Sequence, residues 1–224
     1  MPNVLIIGAN RGIGLELVRQ YAANGCDIIA TCRSETGAQV LRDVARFSVH
    51  MLDITDLAAV ARLGRELTAE TIDICVVNAG IMLGKGLPPE QVAADVWTQS
   101  FMVNAVGPIA CAAAFTRQVA RSKERKLLAM SSLVASIGSN DAGGHYPYRA
   151  SKTALNSLWR SFAIDHPEVI AVLASPGRVQ TDMTDFKGEF SAEQGAANIR
   201  RIVQGLTQAD SGKFYYWDGR PLPW

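Results

Sequence analysis

The sequence predicts an α/β fold: a Rossmann-type, doubly wound parallel sheet of about seven strands, helices on both faces, with residues 1–224 forming one domain. Three observations predict it. Short apolar runs alternate with amphipathic stretches from end to end, as strands joined by crossover helices should. The runs are nearly continuous rather than alternating, as in Ile72-Asp-Ile-Cys-Val-Val77, which suits strands covered on both faces of a parallel sheet. Polar and glycine-rich residues gather directly after the runs, at the carboxyl ends where open α/β sheets bind their ligands.

Each element has its own signal. The strand Val4–Ile7 runs into Gly8-Ala-Asn-Arg-Gly12 and a helix over Gly12–Asn24. The strand Asp27–Cys32 precedes a helix over Thr36–Ala45, with Ser34 or Thr36 as its cap. A third strand, Phe47–Leu52, ends at Asp53, and Asp56 caps the helix Leu57–Leu67. The strand Ile72–Asn78 ends in Asn78-Ala79-Gly80. Helices over Pro89–Trp97 and Val103–Arg121 lead to the strand Lys126–Ser131. The helix Tyr148–His166 precedes the strand Val169–Ser175, which ends at Pro176-Gly177. Ser191 and Gln194 have the spacing of a capping box for the helix Ala192–Gly205, and the last strand is Lys213–Trp217. No repeat, linker or low-complexity segment interrupts this order.

Composition excludes several classes. Apolar residues make up 48% and charged residues 19%, ordinary values for a chain with a sizeable core. A formal net charge of +1 argues against nucleic acid or an anionic membrane as the main partner. The N-terminus carries no basic segment before its short apolar run, so no secretory signal is expected. The run from Ala105 to Phe115, broken by Gly107 and Pro108, falls well short of the roughly 20 residues of a membrane span. Cys26, Cys32, Cys75 and Cys111 form no C-x-x-C pair and the three histidines are scattered. Reduced thiols in a cytoplasmic protein, with no metal site, are therefore expected.

Gly8-Ala-Asn-Arg-Gly12-Ile-Gly14 lies between a strand and a helix. Its first glycine permits a tight turn, its second lets the backbone approach a pyrophosphate at the helix N-terminus, and its third permits close helix–strand packing. An NAD-preferring site places an acidic residue at the end of the second strand. Here that strand ends in Cys32-Arg33, and Asp27 comes too early to serve. Arg33 and Arg11 are placed to pair with a 2′-phosphate, so NADP(H) is favoured over NAD(H). The alternative is that both are solvated surface arginines.

Tyr148-Arg-Ala-Ser-Lys152 puts a phenol and an ammonium on one face of a helix. A phenol titrates near ~10, and a neighbouring cation together with an oxidised nicotinamide would lower that value by favouring phenolate. Tyr146 has Ala150 four residues on and lacks such a partner.

The glycine turn, Asp53, Asn78-Ala79-Gly80, Asn104, Ser132, Tyr148, Lys152 and Pro176-Gly177-x-Val179-x-Thr181 stand in the order found in short-chain dehydrogenases/reductases, which this chain resembles over nearly its whole length. Ser131-Ser-Leu-Val-Ala-Ser-Ile-Gly, the Tyr148–Asn156 segment and the ending Asp218-Gly-Arg-Pro-Leu-Pro-Trp224 look like the C-factor and Sniffer-type carbonyl reductases. The resemblance implies NADPH-dependent reduction of an aldehyde, ketone or dicarbonyl to an alcohol, with a dinucleotide-binding signalling or sensor role as the alternative.

It further implies four catalytic residues. Ser132 holds the substrate oxygen and Tyr148 exchanges its proton. Lys152 binds the nicotinamide ribose, and Asn104 holds a water linking Lys152 to solvent. The cofactor-binding set it implies is Gly8, Asn10, Arg11, Gly12, Ile13, Gly14, Arg33, Asp53, Ile54, Asn78, Ala79, Gly80, Tyr148, Lys152, Pro176, Gly177, Val179, Thr181 and Met183. Within that set, Asp53 and Ile54 meet the adenine and Thr181 the carboxamide. Ile7 and Val77 depart from the family's usual Thr and Asn, and the loop Gly138–His145 is longer than in many relatives.

The substrate pocket is open at this level. Met183, Phe186 and Phe190 either form an apolar wall or pack beneath the last helix, and Arg178 either faces a substrate carboxylate or is exposed. The helices Val103–Arg121 and Tyr148–His166 suit either a homodimer or homotetramer interface or the core. The expected partner is a small carbonyl or alcohol.

Overall fold

The computed structural model describes residues 1–44 and 48–224. Seven parallel strands form one sheet in the order β3-β2-β1-β4-β5-β6-β7. These are β1 (Asn3–Ile7), β2 (Asp27–Cys32), β3 (Ser48–Met51), β4 (Ile74–Val77), β5 (Lys126–Met130), β6 (Ile170–Ala174) and β7 (Phe214–Tyr215). This is the predicted Rossmann-type doubly wound arrangement, and its order reverses between β1 and β4, where Ile7 pairs with Val77. Ala45 and Phe47, which belong to the expected second helix and third strand, lie outside the described residues.

The helices are α1 (Gly12–Ala23), α2 (Glu35–Arg42), α3 (Leu57–Glu66), α4 (Ala94–Phe101), α5 (Gly107–Ala120), α6 (Tyr146–Asp165) and α7 (Ala192–Gly205). Successive strand residues point to opposite faces, so the core has two halves. Leu5, Ile7, Val77 and Leu127 pack with Phe115 of α5, Leu155 and Trp159 of α6 and Leu63 of α3. Val4, Ile6, Val76 and Leu128 pack with Leu17 of α1, Leu41 of α2 and Ile199 of α7. The caps stand where the sequence puts them. Ser34 and Asp56 accept from the Gly37 and Ala59 amides, and Ser191 with Gln194 forms a reciprocal box.

Three expected helices start differently. Pro89–Gln91 is a single 3₁₀ turn and α4 begins only at Ala94, because Val92 and Ala93 hold extended backbone, with ψ of 115° and 149°. The stretch expected as one helix from Val103 instead enters through a π turn over Met102–Val106, where the Gly107 amide bonds back to the Met102 carbonyl. Pro108 supplies the reason: it has no amide hydrogen, so the Asn104 carbonyl loses the donor an α-helix would give it. Helix α6 starts two residues early, at Tyr146, after His145 in a left-handed conformation.

Candidate active site

A cleft of about 470 Å³ opens at the carboxyl ends of the strands and crosses the switch point. Its floor is the turn between β1 and α1. Gly8 adopts a φ of +82°, and a Cβ there would sit 2.9 Å from the Ala79 backbone. A Cβ on Gly14 would collide with the Gly8 carbonyl and lie 2.6 Å from Asn78 Nδ2, so α1 approaches the strands only because that position is bare. Asn78 Nδ2 donates to the Gly8 carbonyl at 2.6 Å and fixes the turn from the neighbouring strand. Helix α1 has no acidic residue in its first turn, which leaves the positive end of its dipole uncompensated.

One wall belongs to α6. Tyr148 and Lys152 are 6% and 3% exposed and both line the cleft. Burial raises the Tyr148 pKa above its ordinary value, and the neighbouring Ser132 side chain pulls it back in part by favouring phenolate. Lys152 Nζ donates to the Met130 carbonyl at 2.7 Å, which holds the ammonium against the end of β5. Burial also brings the ammonium down to about 8.

Ser132 opens the 3₁₀ turn Leu133–Ala135, which is clamped on three sides. Thr153 of α6 donates to the Ala135 carbonyl, Arg149 to the Val134 carbonyl, and the Leu133 amide donates to Ser175 Oγ. Its neighbour Ser131 is buried and donates to Asn156 Oδ1 at 2.6 Å.

Asn104 is fully buried, and its side chain joins two segments of the fold. Oδ1 accepts from the Ile81 amide at 2.9 Å, while Nδ2 donates to the Ile81 carbonyl and to Ser151 Oγ. Both Nδ2 hydrogens are spent on the loop after β4 and on α6. Ser151 in turn donates to the Tyr148 carbonyl. Ser151 therefore links the π turn to the helix that carries the tyrosine, a role with no motif to announce it.

At the other end of the cleft stand Arg33, Asp53, Ile54 and the buried Cys32. Burial acts to raise the Asp53 pKa, but bonds from the Thr55 amide and hydroxyl and the charge of Arg33 outweigh it, so the carboxyl ends below its usual range. The third wall is the segment after β6. Pro176, Thr181, Met183 and Phe186 line the cleft, whereas Phe190 packs on Trp217 with ring centroids 4.7 Å apart. Arg178 is exposed and lines no part of it. None of residues 138–145 lines it either; that loop is held by Arg149 through the Gly143 and Gly144 carbonyls.

Of the expected set, Gly8, Asn10, Arg11, Gly12, Ile13, Arg33, Asp53, Ile54, Asn78, Ala79, Gly80, Tyr148, Lys152, Pro176, Thr181 and Met183 line one cleft. Gly14, Asn104, Ser132, Gly177 and Val179 stand behind or beside that lining. Among the described residues no cluster of His, Cys, Asp and Glu is suited to a metal ion, and no helix is long and apolar enough to cross a membrane.

A doubly wound sheet that carries a glycine turn at its switch point places this protein in the Rossmann class. The chain belongs to the short chain dehydrogenase family of oxidoreductases, whose model matches residues 2–192. It is 32% identical over 155 residues to C-signal of Myxococcus xanthus, covering 68% of this chain and 93% of that one. Carbonyl reductase Sniffer of D. melanogaster superposes with a TM-score of 0.91 at 28% identity and full coverage of both chains. A carbonyl reductase from Pseudomonas aeruginosa PAO1 in complex with NADP superposes with a TM-score of 0.84 at 30% identity, again with both chains fully covered. The resemblance to C-factor and Sniffer-type carbonyl reductases stands on these likenesses.

Proposed function

We propose that the protein is an NADPH-dependent carbonyl reductase working as one domain on a small or medium aldehyde, ketone or dicarbonyl. The observation that carries this is the placing of Tyr148 and Lys152, buried and one helical turn apart, on the wall of the cleft that also holds the glycine turn and Arg33. The fit to a dinucleotide rests on the bare approach at Gly14, which a Cβ would fill, and on Arg11 and Arg33 lining the cleft where a 2′-phosphate requires cations.

When bound, NADPH supplies hydride to the carbonyl carbon. The chain supplies everything else. Tyr148, its pKa raised by burial, stays protonated at neutral pH and gives its proton to the carbonyl oxygen. Ser132, at the head of the turn that Thr153, Arg149 and Ser175 clamp, donates to the same oxygen as charge develops there. Lys152 keeps most of its charge at pH 7 and spends one hydrogen on Met130, leaving two for ribose hydroxyls. Its cation, with the positive ring of the oxidised cofactor, stabilises the phenolate left behind. The Asn104 carbonyl, deprived of a helix donor by Pro108, takes the water that its side chain has no hydrogen left to hold.

NADPH oxidation measured against a panel of aldehydes, ketones and dicarbonyls tests the assignment, with turnover of at least one class expected. The likeness to C-signal favours a second reading, a dinucleotide-binding signalling protein. Tight NADPH binding with no turnover across the panel would select it.

A further inference from the structure

We propose that Asp182 is a specificity-determining residue whose carboxylate competes with the cofactor's 2′-phosphate for Arg11. The inference rests on the NADPH reading above. Arg11 lies in the glycine turn and Asp182 directly after Thr181, far apart in sequence, yet Arg11 Nη1 and Asp182 Oδ2 are 2.6 Å apart. Both line the cleft that holds Arg33.

The carboxylate is presented rather than loose. Thr181 and Thr184 cap the turn that Asp182 opens, and at the turn's far end Asp185 is tied to Lys85 of the facing loop at 3.0 and 3.1 Å. Asp185 and Phe186 both hold left-handed backbone, with φ of 52° and 56°, so the segment keeps this path against local preference.

The physical consequence concerns charge. With Asp182 on it, the charge of Arg11 is partly compensated before any ligand arrives. A phosphate carries about −1.5 to −2 charges at neutral pH against one for a carboxylate, so the exchange runs toward the phosphate. It runs against the ion pair that must be broken. With side-chain exposures of 59% and 54%, that pair is weak and screened by salt. The cost falls on NADPH alone, because NADH has no 2′-phosphate to claim Arg11.

Titrating NADPH and NADH by cofactor fluorescence into wild type, Asp182→Asn, Arg11→Gln and the double variant tests the proposal. Asp182→Asn is expected to tighten NADPH binding by about two- to five-fold with NADH changed by less. The gain should disappear in the Arg11→Gln background. Unchanged or weaker NADPH binding, an equal gain for NADH, or a gain that survives without Arg11 would each overturn it. Asp182→Ser repeats the test if the first variant folds poorly. Wild type that prefers NADH, or binds neither dinucleotide, overturns the cofactor reading itself; wild type selective for NADPH with an indifferent Asp182→Asn overturns the Asp182 inference alone.

Discussion

On the α6 side of the cleft, Tyr148, Lys152, Ser131 and Asn104 are all buried, and Lys152, Ser131 and Asn104 bond to partners on other segments of the fold. Across the mouth, Arg11 and Asp182 meet with more than half of each side chain in water, and Phe186 beside them is 66% exposed. The same charges therefore behave differently on the two sides. Burial moves the pKa values of Tyr148 and Lys152 by desolvation, whereas rim charges meet in water and act through contacts that salt weakens. The proposed mechanism thus puts chemistry where burial strengthens the field and cofactor choice where contacts exchange with water.

The largest expected effect breaks the buried side. Tyr148→Phe removes the hydroxyl proposed as proton donor and leaves the ring's packing intact. Turnover should fall by about 10²–10⁴-fold while NADPH affinity stays within a few fold, and the deficit should be the same in low and high salt. Retained carbonyl-reducing activity would end the proposed mechanism.

Next comes the pH dependence of stability. The folded-state pKa of Lys152 is depressed from 10.5 to about 8, so between these values the unfolded chain binds more protons than the native one. Stability must then rise with pH over that window, by up to about 3 kcal/mol in all. The raised Tyr148 works the other way only above its ordinary pKa, near pH 10. Subtracting denaturant curves of Lys152→Met from those of wild type between pH 7.5 and 9.5 should isolate the rise. Parallel profiles would show that the amine is better solvated than its geometry requires.

The rim gives the smallest change and the one most sensitive to conditions. Arg33→Asp should weaken NADPH binding by roughly 10- to 100-fold and NADH binding far less, as the loss of a charge-assisted pair requires. At 1 M salt, where the Debye length is about 3 Å, that gap should narrow markedly. Equal losses for both dinucleotides would remove Arg33 from the 2′-phosphate. A gap unaffected by salt would make the rim as sheltered as the α6 wall.

Much of this was legible in the residues. The strands read from apolar runs are those of the sheet, and the caps at Ser34, Asp56 and Ser191 are side-chain bonds to amides three residues on, a short-range matter that spacing reveals. The cleft-lining glycine turn, Arg33 and the Tyr148–Lys152 pair were equally plain, because each follows a strand end or shares one helix face. The π turn was missed, although Pro108 was in view: removing one donor does not say how the helix will re-form its bonds. Phe186 and Phe190 could not be separated, since alternate routes of a short irregular segment bury different rings. Only the structure places Phe190 against Trp217.

The sequence by itself determined the order and type of elements, the glycine turn and the spacing of Tyr148 and Lys152, all of which depend on neighbours within a helix turn or a strand end. The tertiary structure alone decided that Lys152 leans on Met130, that the Asn104 side chain is spent on Ile81 and Ser151, and that Arg11 meets Asp182. Each of those contacts joins segments distant along the chain, and their energies depend on burial and distance, which exist only once the sheet has brought the loops together.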